Sequence, residues 1–374
     1  MLPGLKLGGA ERQALLLATH LMNSPKWTVE VWGFGKADRV AELCEAAAIP
    51  WRSYPMGWPR SYIMRIKAIL KFAWALRRAE PDILLPYTIR PNVICGFTWR
   101  LTGASLCIWN QRDEGRSLGV EYNWQRFAVR LVPCFLSNST HAADYLKTTL
   151  GVDPQQIKVI PNGVEELTPQ INRSIWRTQN CTPQDAFVAC MVANLHHYKD
   201  HATLLQAWLL VSNHLQQCNR QAVLLLAGRH DDTYESLLTL SKELQLNDNV
   251  RFLGKVNDVA SLLNAVDIGV FSSHFEGCPN GILECMSMGL AVAGTDIPGI
   301  REAVGEDGAL FLSPPNDFES LANNILKLAF DQELRKIAGE KNRRRIETFF
   351  SVNRMVEESQ KLIQTALPEK PLCY

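Results

Sequence analysis

Two α/β domains, each a parallel sheet wrapped by helices in the Rossmann-like manner, are predicted by three observations. The chain is 374 residues long, more than one ordinary domain needs and comfortable for two. In both halves short runs of apolar β-formers alternate with longer amphipathic segments, the pattern of parallel strands joined by crossover helices. Between the halves, residues 165–185 are polar, carry Pro169 and Pro183, and show no periodicity, which reads as a linker.

In the first half, residues 10–21 form a helix with Leu15, Leu16, Ala18 and Leu21 apolar. A strand at 28–32, a helix at 38–48 and a long helix at 61–79 follow. Residues 82–86, 107–110 and 135–138 are short buried strands, with helices at 91–101 and 141–150 between them. One element is too short. Only Met1 to Leu7 precede Gly8 and Gly9, and Leu2, Leu5 and Leu7 cannot make a strand and its turn together. The first strand of this domain therefore reads as missing, with the natural start upstream, since a sheet without a central strand leaves two edges unpaired. In the second half, segments 187–193, 201–215, 223–227, 234–244, 250–252, 259–265 and 268–271 alternate in type. A helix opened by Pro279 and Asn280, strands at 291–295 and 309–312, and a last helix at 350–366 complete it.

Composition excludes several classes. Hydrophobic residues make up 47% and charged residues 21%, ordinary for a soluble protein with a sizeable core. No apolar run is long enough to span a bilayer and no secretory leader is recognisable, so a cytoplasmic location is expected. The ten cysteines form no C-x-x-C pair, and Cys95, Cys107, Cys134, Cys190 and Cys285 lie in apolar segments, as reduced core thiols do. His196, His197 and His201 lack an obvious carboxylate or thiol complement with ligand spacing, so neither a metal nor a cofactor is implied. The net charge of +1 hides an asymmetry: residues 1–165 hold 20 Lys and Arg against 13 Asp and Glu, the remainder 19 against 25. An anionic partner should meet the first half. Nucleic acid is not among the expected partners.

Two glutamates eight positions apart, Glu276 and Glu284, carry the strongest chemical signal. The apolar run 267–271 precedes them, and Ile282, Leu283, Met286 and Leu290 follow Pro279 and Asn280 with helical spacing. The reading is strand, loop, helix, with Glu276 in the loop and Glu284 about one turn into the helix. Pro279 suits the first turn, where its missing N–H costs nothing. The amides of Gly277, Cys278 and Asn280 then face the loop without intrahelical partners, a setting that favours an anion such as a diphosphate.

This arrangement resembles the retaining, nucleotide-sugar-dependent glycosyltransferases of family 4, whose paired glutamates have this spacing. The resemblance extends to Gly8-Gly-Ala-Glu-Arg12 as the N-terminal glycine loop, 157–164 as the end of the first domain, 192–201 as the phosphate-binding lysine segment, and 265–267 and 291–295 beyond it. It implies the GT-B architecture, two Rossmann-like domains facing a cleft. The implied domains are an acceptor-binding one at 1–165, a linker at 166–185, a nucleotide-sugar-binding one at 186–349, and a helix at 350–374 crossing back to the first. It also implies a nucleotide-diphosphate sugar as donor, UDP favoured over GDP, and a glycan or lipid-linked acceptor.

Residue by residue, the resemblance gives Lys199 the diphosphate and, with the helix amides, the part a divalent metal plays elsewhere. Asn194 stands where the family usually carries arginine, so Arg229 or Lys255 is a candidate to supply the missing charge. Glu276 is expected at the hydroxyls of the transferred sugar and Glu284 at the ribose hydroxyls. Gly254 and Val256 border the base, while Asn280 and Gly281 set the close approach to phosphate or sugar. In the first domain Gly8 and Gly9 permit backbone approach to the diphosphate and acceptor. Arg112 and Asp113 stand where the family often has a histidine, and are expected to pair with phosphate and to serve the acceptor hydroxyl. The departures at Asn194 and at the histidine, with the missing first strand, leave a second reading open, a degenerate or truncated nucleotide-sugar-binding protein without catalysis. A dinucleotide oxidoreductase is disfavoured, because Gly33-Phe-Gly35 lacks the third glycine of that fingerprint.

Residues 58–78 mix aromatics with six basic residues and no acidic one. Two readings stand: a helix lying on an anionic membrane surface at the inner face, or a Rossmann helix with a solvated basic side.

Overall fold

The computed structural model describes residues 1–113, 115 and 119–368. The chain forms two compact units, Met1–Gly163 with Val352–Tyr374, and Val164–Ser351.

In the first unit the strands are β1 (Val31–Gly33), β2 (Trp51–Ser53), β3 (Ile83–Leu84), β4 (Leu106–Gln111), β5 (Cys134–Ser137) and β6 (Ile157–Val159). They form a parallel pair β1-β2 and a parallel sheet β3-β4-β5-β6. The gap between the two is filled by the first residues of the chain. Leu2 N–H donates to Trp32 O at 2.8 Å and Phe34 N–H to Leu2 O at 3.2 Å on one side. On the other, Tyr87 N–H donates to Met1 O at 2.9 Å and the Met1 ammonium to Leu85 O at 3.0 Å. No full strand precedes the helix Gly9–Met22, but these two residues occupy the slot of one, with Leu2 and Leu5 in the core. The helix Val352–Ala366 packs Met355, Val356 and Ile363 against Leu17, Leu21 and Leu106 of this same unit. Of the segment 350–374, residues 369–374 lie outside the described ones.

The helix Tyr62–Arg77 buries Arg65, Ile69, Phe72, Ala73 and Leu76. Arg65 was expected among the solvated cations; the fold instead makes it a core residue. Its guanidinium grips Glu121 in a fork, 2.8 and 2.9 Å, donates to Pro59 O at 2.9 Å, and lies 4.4 Å from the ring centre of Trp58 and 5.2 Å from that of Trp124. An arginine can be buried this way because a planar fork satisfies a carboxylate while its faces stack on aromatics.

In the second unit the strands are β7 (Phe187–Val192), β8 (Ala222–Ala227), β9 (Val250–Gly254), β10 (Ile268–Phe271), β11 (Ala291–Thr295) and β12 (Leu312–Ser313). They make one six-stranded sheet in the order β12-β11-β10-β7-β8-β9, every pairing parallel. Its central strands are buried on both faces, which is why they read as unbroken apolar runs. The segment expected to be a featureless linker instead carries the helix Arg173–Gln179, built into this unit. Trp176 is its apolar anchor, and the fully buried Arg177 donates to the carbonyls of Ala265, Pro183, Gln184 and Ala186 and to Asp267.

His201 opens the helix His201–Gln217 with its ring sealed in, 2% exposed, and neither ring nitrogen has a hydrogen-bond partner. Burial, helped by the Lys199 charge, pushes its pKa from 6.5 to about 3. The unfolded chain takes up this proton near pH 6.5 and the folded protein only near 3, so stability is full above 6.5 and falls as the pH drops through that window. At pH 5 the loss is about 2 kcal/mol. Thermal unfolding followed between pH 7 and 5 should show a steeper fall for the wild type than for His201→Phe, which removes the titrating group and two unsatisfied nitrogens. Parallel pH profiles for the two proteins would show that His201 is protonated in the fold.

Candidate active site

In the second unit, strand order reverses between β7 and β10: β7 leads to β8 on one side, while β10, reached two crossovers later, pairs on the other. At such a switch point the loops leaving the two strands diverge and leave a crevice beyond their C-terminal ends. The loop after β7 runs through Asn194 to a 3-10 turn, His197–Lys199, and into the helix His201–Gln217. The loop after β10 runs from Ser272 to Pro279 and into the helix Asn280–Ser287.

The two loops are stitched together. His274 N–H donates to Tyr198 O at 2.9 Å, and Ser272 Oγ donates to Asp200 O at 2.8 Å. Across this seam Lys199 Nζ pairs with Glu276 Oε1, which also accepts from Ser273 Oγ at 2.9 Å. Both side chains are largely shielded from water, Lys199 at 15% and Glu276 at 10% exposure. The residues given separate duties in the sequence reading, one at phosphate and one at sugar, thus form one ion pair. An ammonium has three donors, so this pairing aims the group while leaving capacity for an anion.

Glycines let the backbones close in. A Cβ on Gly299 would lie 2.1 Å from Glu276 O, and one on Gly228 would lie 1.9 Å from Ala193 O. At Gly281 it would lie 2.2 Å from Val192 O, so this glycine is required by helix-on-strand packing, where the sequence reading gave it to ligand approach. Asn280 and Cys278 occupy the start of the helix and the loop before it. Glu284, one turn in, is buried, and its carboxylate adds to burial in raising the thiol pKa of Cys190 and Cys285. It is therefore no solvated helix-surface glutamate.

Asn194 braces the next loop: its Oδ1 accepts from Arg229 N–H at 3.1 Å. The Arg229 guanidinium lies 3.3 Å from Asp231, so its charge is offset, and Lys255 is exposed. Gly254 ends β9 with φ +64°, accepts from Gly228 N–H at 2.9 Å, and is followed by Val256 packed on the core. Sequence reasoning missed Ser273 and Asp232. The latter completes a group expected not to exist: His196, His197 and Asp232 bring ligand atoms within 4.8 Å of one another. His197 bonds Asp232 twice, by its ring Nδ1 at 2.8 Å and its N–H at 3.2 Å, tying the lysine loop to the loop after β8. The three are half-buried or exposed, and the set is chemically able to hold a divalent cation.

In the first unit, Gly8 caps the helix Gly9–Met22, and the Glu11 carboxylate folds over it, 2.7 Å from where a Cβ would stand. Arg112 donates to Asn162 Oδ1 at 2.9 Å and lies 4.9 Å from the Tyr87 ring centre. Asp113 accepts from Gly115 N–H at 2.9 Å, a turn-forming contact, and its carbonyl accepts from Gln111 at 2.8 Å.

Comparison with known proteins agrees with this architecture. Residues 186–331 match the family model described as glycosyl transferases group 1, and residues 7–166 match that of glycosyltransferase family 4. An Escherichia coli protein named UDP-Gal:alpha-D-GlcNAc-diphosphoundecaprenol alpha-1,3-galactosyltransferase is 24% identical over 81% of this chain and 80% of its own. A Campylobacter jejuni N-acetylgalactosaminyltransferase named for a diphospho-undecaprenol acceptor is 27% identical over 76% of each. Among solved structures, the Anabaena protein HepE in complex with UDP and glucose superposes with a TM-score of 0.83 at 20% identity, covering 97% of this chain and 98% of that one. The lipopolysaccharide glycosyltransferase WaaG does so at 0.73 and 17%, over 97% and 98%. With each of its halves matched by a model of the same enzyme class, the chain belongs to the glycosyltransferases of group 1 and family 4, enzymes of the GT-B fold.

Proposed function

We propose that this glycosyltransferase is retaining and metal-independent, and that it moves a sugar from a UDP-sugar to a lipid-linked glycan at the cytoplasmic face of a membrane. The observation that carries the reading is the Lys199–Glu276 pair at the strand-order reversal, with the helix Asn280–Ser287 beginning beside it. In the transfer, the bond from the anomeric carbon to the diphosphate oxygen breaks, and a bond to an acceptor oxygen forms while that oxygen loses its proton. Negative charge grows on the leaving diphosphate and positive charge on the sugar. Lys199 and the N-terminal amides of the helix answer the first, and Glu276 the second, by groups fixed before the reaction begins. Glu284, buried one turn along, takes the ribose hydroxyls. Gly254 and Val256 border the base. In the first unit, Gly8 and Gly9 are assigned to the diphosphate and acceptor, Arg112 to phosphate and Asp113 to the acceptor hydroxyl.

The donor and acceptor classes draw support from relatives. Structures similar in fold are described with UDP and with UDP-glucose, and two relatives spanning most of the chain are named for undecaprenol-linked acceptors. Retention is supported by the family resemblance. Among the described residues no helix is long and apolar enough to cross a membrane, so contact with a lipid-linked acceptor is assigned to the protein surface.

Glu276→Gln keeps the shape and removes the charge that answers the developing cation. UDP affinity, measured by thermal shift or calorimetry, should be kept or raised, because Lys199 is released from its partner. Turnover should fall on the order of a hundredfold or more. Undiminished transfer by this variant would remove Glu276 from the catalytic groups, whereas UDP binding without any transfer by the wild type would favour the reading of a binding protein.

If Lys199 and the helix amides carry the leaving group, transfer should survive a chelator, while Lys199→Ala should lose it. Inhibition by chelator that is reversed by magnesium or manganese would overturn metal independence. Assaying His197→Ala in the same way would then show whether the His196, His197 and Asp232 group holds that ion.

A further inference from the structure

We infer that the helix Tyr62–Arg77 is an interfacial helix, and that Ile63, Ile66, Leu70 and Trp74 insert into an anionic lipid surface. A helix on the face of a parallel sheet needs one apolar stripe, and this one has it in Ile69, Phe72, Ala73 and Leu76. It has a second. Ile63, Ile66, Leu70 and Trp74 are spaced three, four and four apart, the spacing of a single stripe, and are 68, 49, 53 and 57% exposed. At about 100° per residue this stripe lies on the side of the helix away from the buried one.

The helix cannot roll to hide it. Arg65, buried on the inward side, is locked to Glu121 by its two-pronged bond and held between Trp58 and Trp124. The outward stripe is therefore a fixed surface. Its occupant is indicated by charge. Lys67 and Lys71 flank it, Arg78 stacks on Trp74 at 3.5 Å, and no acidic residue occurs from 46 to 79. Apolar side chains edged by cations, with an indole among them, match the acyl boundary and headgroup layer of an anionic leaflet. A surface binding only by charge would not need the four apolar side chains. The inference deepens the reading of a lipid-linked acceptor, on which it rests, by naming the surface that meets the membrane.

The test is flotation of the full chain with vesicles of phosphatidylcholine alone and of phosphatidylcholine mixed with phosphatidylglycerol, at low and high salt. The wild type should float with the mixed vesicles, and part of that binding should survive high salt. Lys67→Gln with Lys71→Gln should lose the salt-sensitive part. Ile63→Ser with Leu70→Ser and Trp74→Ser should weaken partition on the order of tenfold or more at both salt levels. These exposed sites support no core contact, so an unchanged melting temperature and an unchanged thermal shift with UDP check the fold. Vesicle binding by the triple variant equal to the wild type would overturn the inference. So would a wild-type dimer that the same triple substitution disperses, since the stripe would then be a subunit contact. Failure of the glycosyltransferase reading is separate: it would appear as absent UDP binding in the wild type, whereas flotation is read without a donor.

Discussion

The reversal of strand order between β7 and β10 is the constraint on which the second unit depends. A parallel sheet must return each strand by a crossover, and where the crossovers change side, two neighbouring loops part. Both members of the Lys199–Glu276 pair are delivered by those two loops. Because they part, they need to be tied again, and a backbone bond from His274 to Tyr198 and the Ser272 hydroxyl on the Asp200 carbonyl do this. The ion pair of Lys199 and Glu276 then spans loops whose positions are already set. A buried pair of this kind gains little net stability, since desolvating two charges offsets their attraction. Its value is that of placement.

The same economy of backbone explains the glycines. Gly228, Gly281 and Gly299 each put a peptide where a Cβ would strike a carbonyl of the neighbouring loop or strand. They are spread over 72 residues of sequence (228 to 299) yet converge on the ends of β7 and β10. In the first unit the equivalent demand falls on two residues. Met1 and Leu2 satisfy backbone groups of Trp32, Phe34, Leu85 and Tyr87 that would otherwise form two unpaired edges.

Much of the second unit was legible because its strands are buried on both faces and its loops carry proline and glycine. β7, β8, β10 and β11 read as apolar runs, and Glu276, Glu284 and Lys199 stood out through their place at strand ends. The helices Pro298–Ala309, Phe318–Phe330 and Gln332–Phe349 did not. Gly305, at φ +69°, breaks the first in its middle, and the third is so polar that its apolar stripe is thin. Partners far apart in sequence were also hidden. Asp232 meets His197 across 35 residues and Arg65 meets Glu121 across 56, separations that no local pattern encodes. Arg177 and Arg65 misled for a common reason: composition treats arginine as solvated, while its planar fork lets it end a whole set of carbonyls or one carboxylate in the core.

The distribution of positive charge follows from these pairings. Asn194 brings no charge, and Arg229 has spent its own on Asp231. Among the described residues of the two loops, what remains is the Lys199 ammonium and a helix N-terminus, the latter equivalent to about half an elementary charge. On the proposed function, one ammonium and half a charge would fall short of a nucleoside diphosphate's charge, which would suit a site that must also release it after transfer. Glu276 sharpens the same balance. While it holds Lys199 it lowers the positive potential; on the proposed function an arriving diphosphate would compete for the ammonium and leave the carboxylate to the sugar. On the proposed function the donor itself would separate the pair into its two roles, and the ion pair would be the resting form of that arrangement.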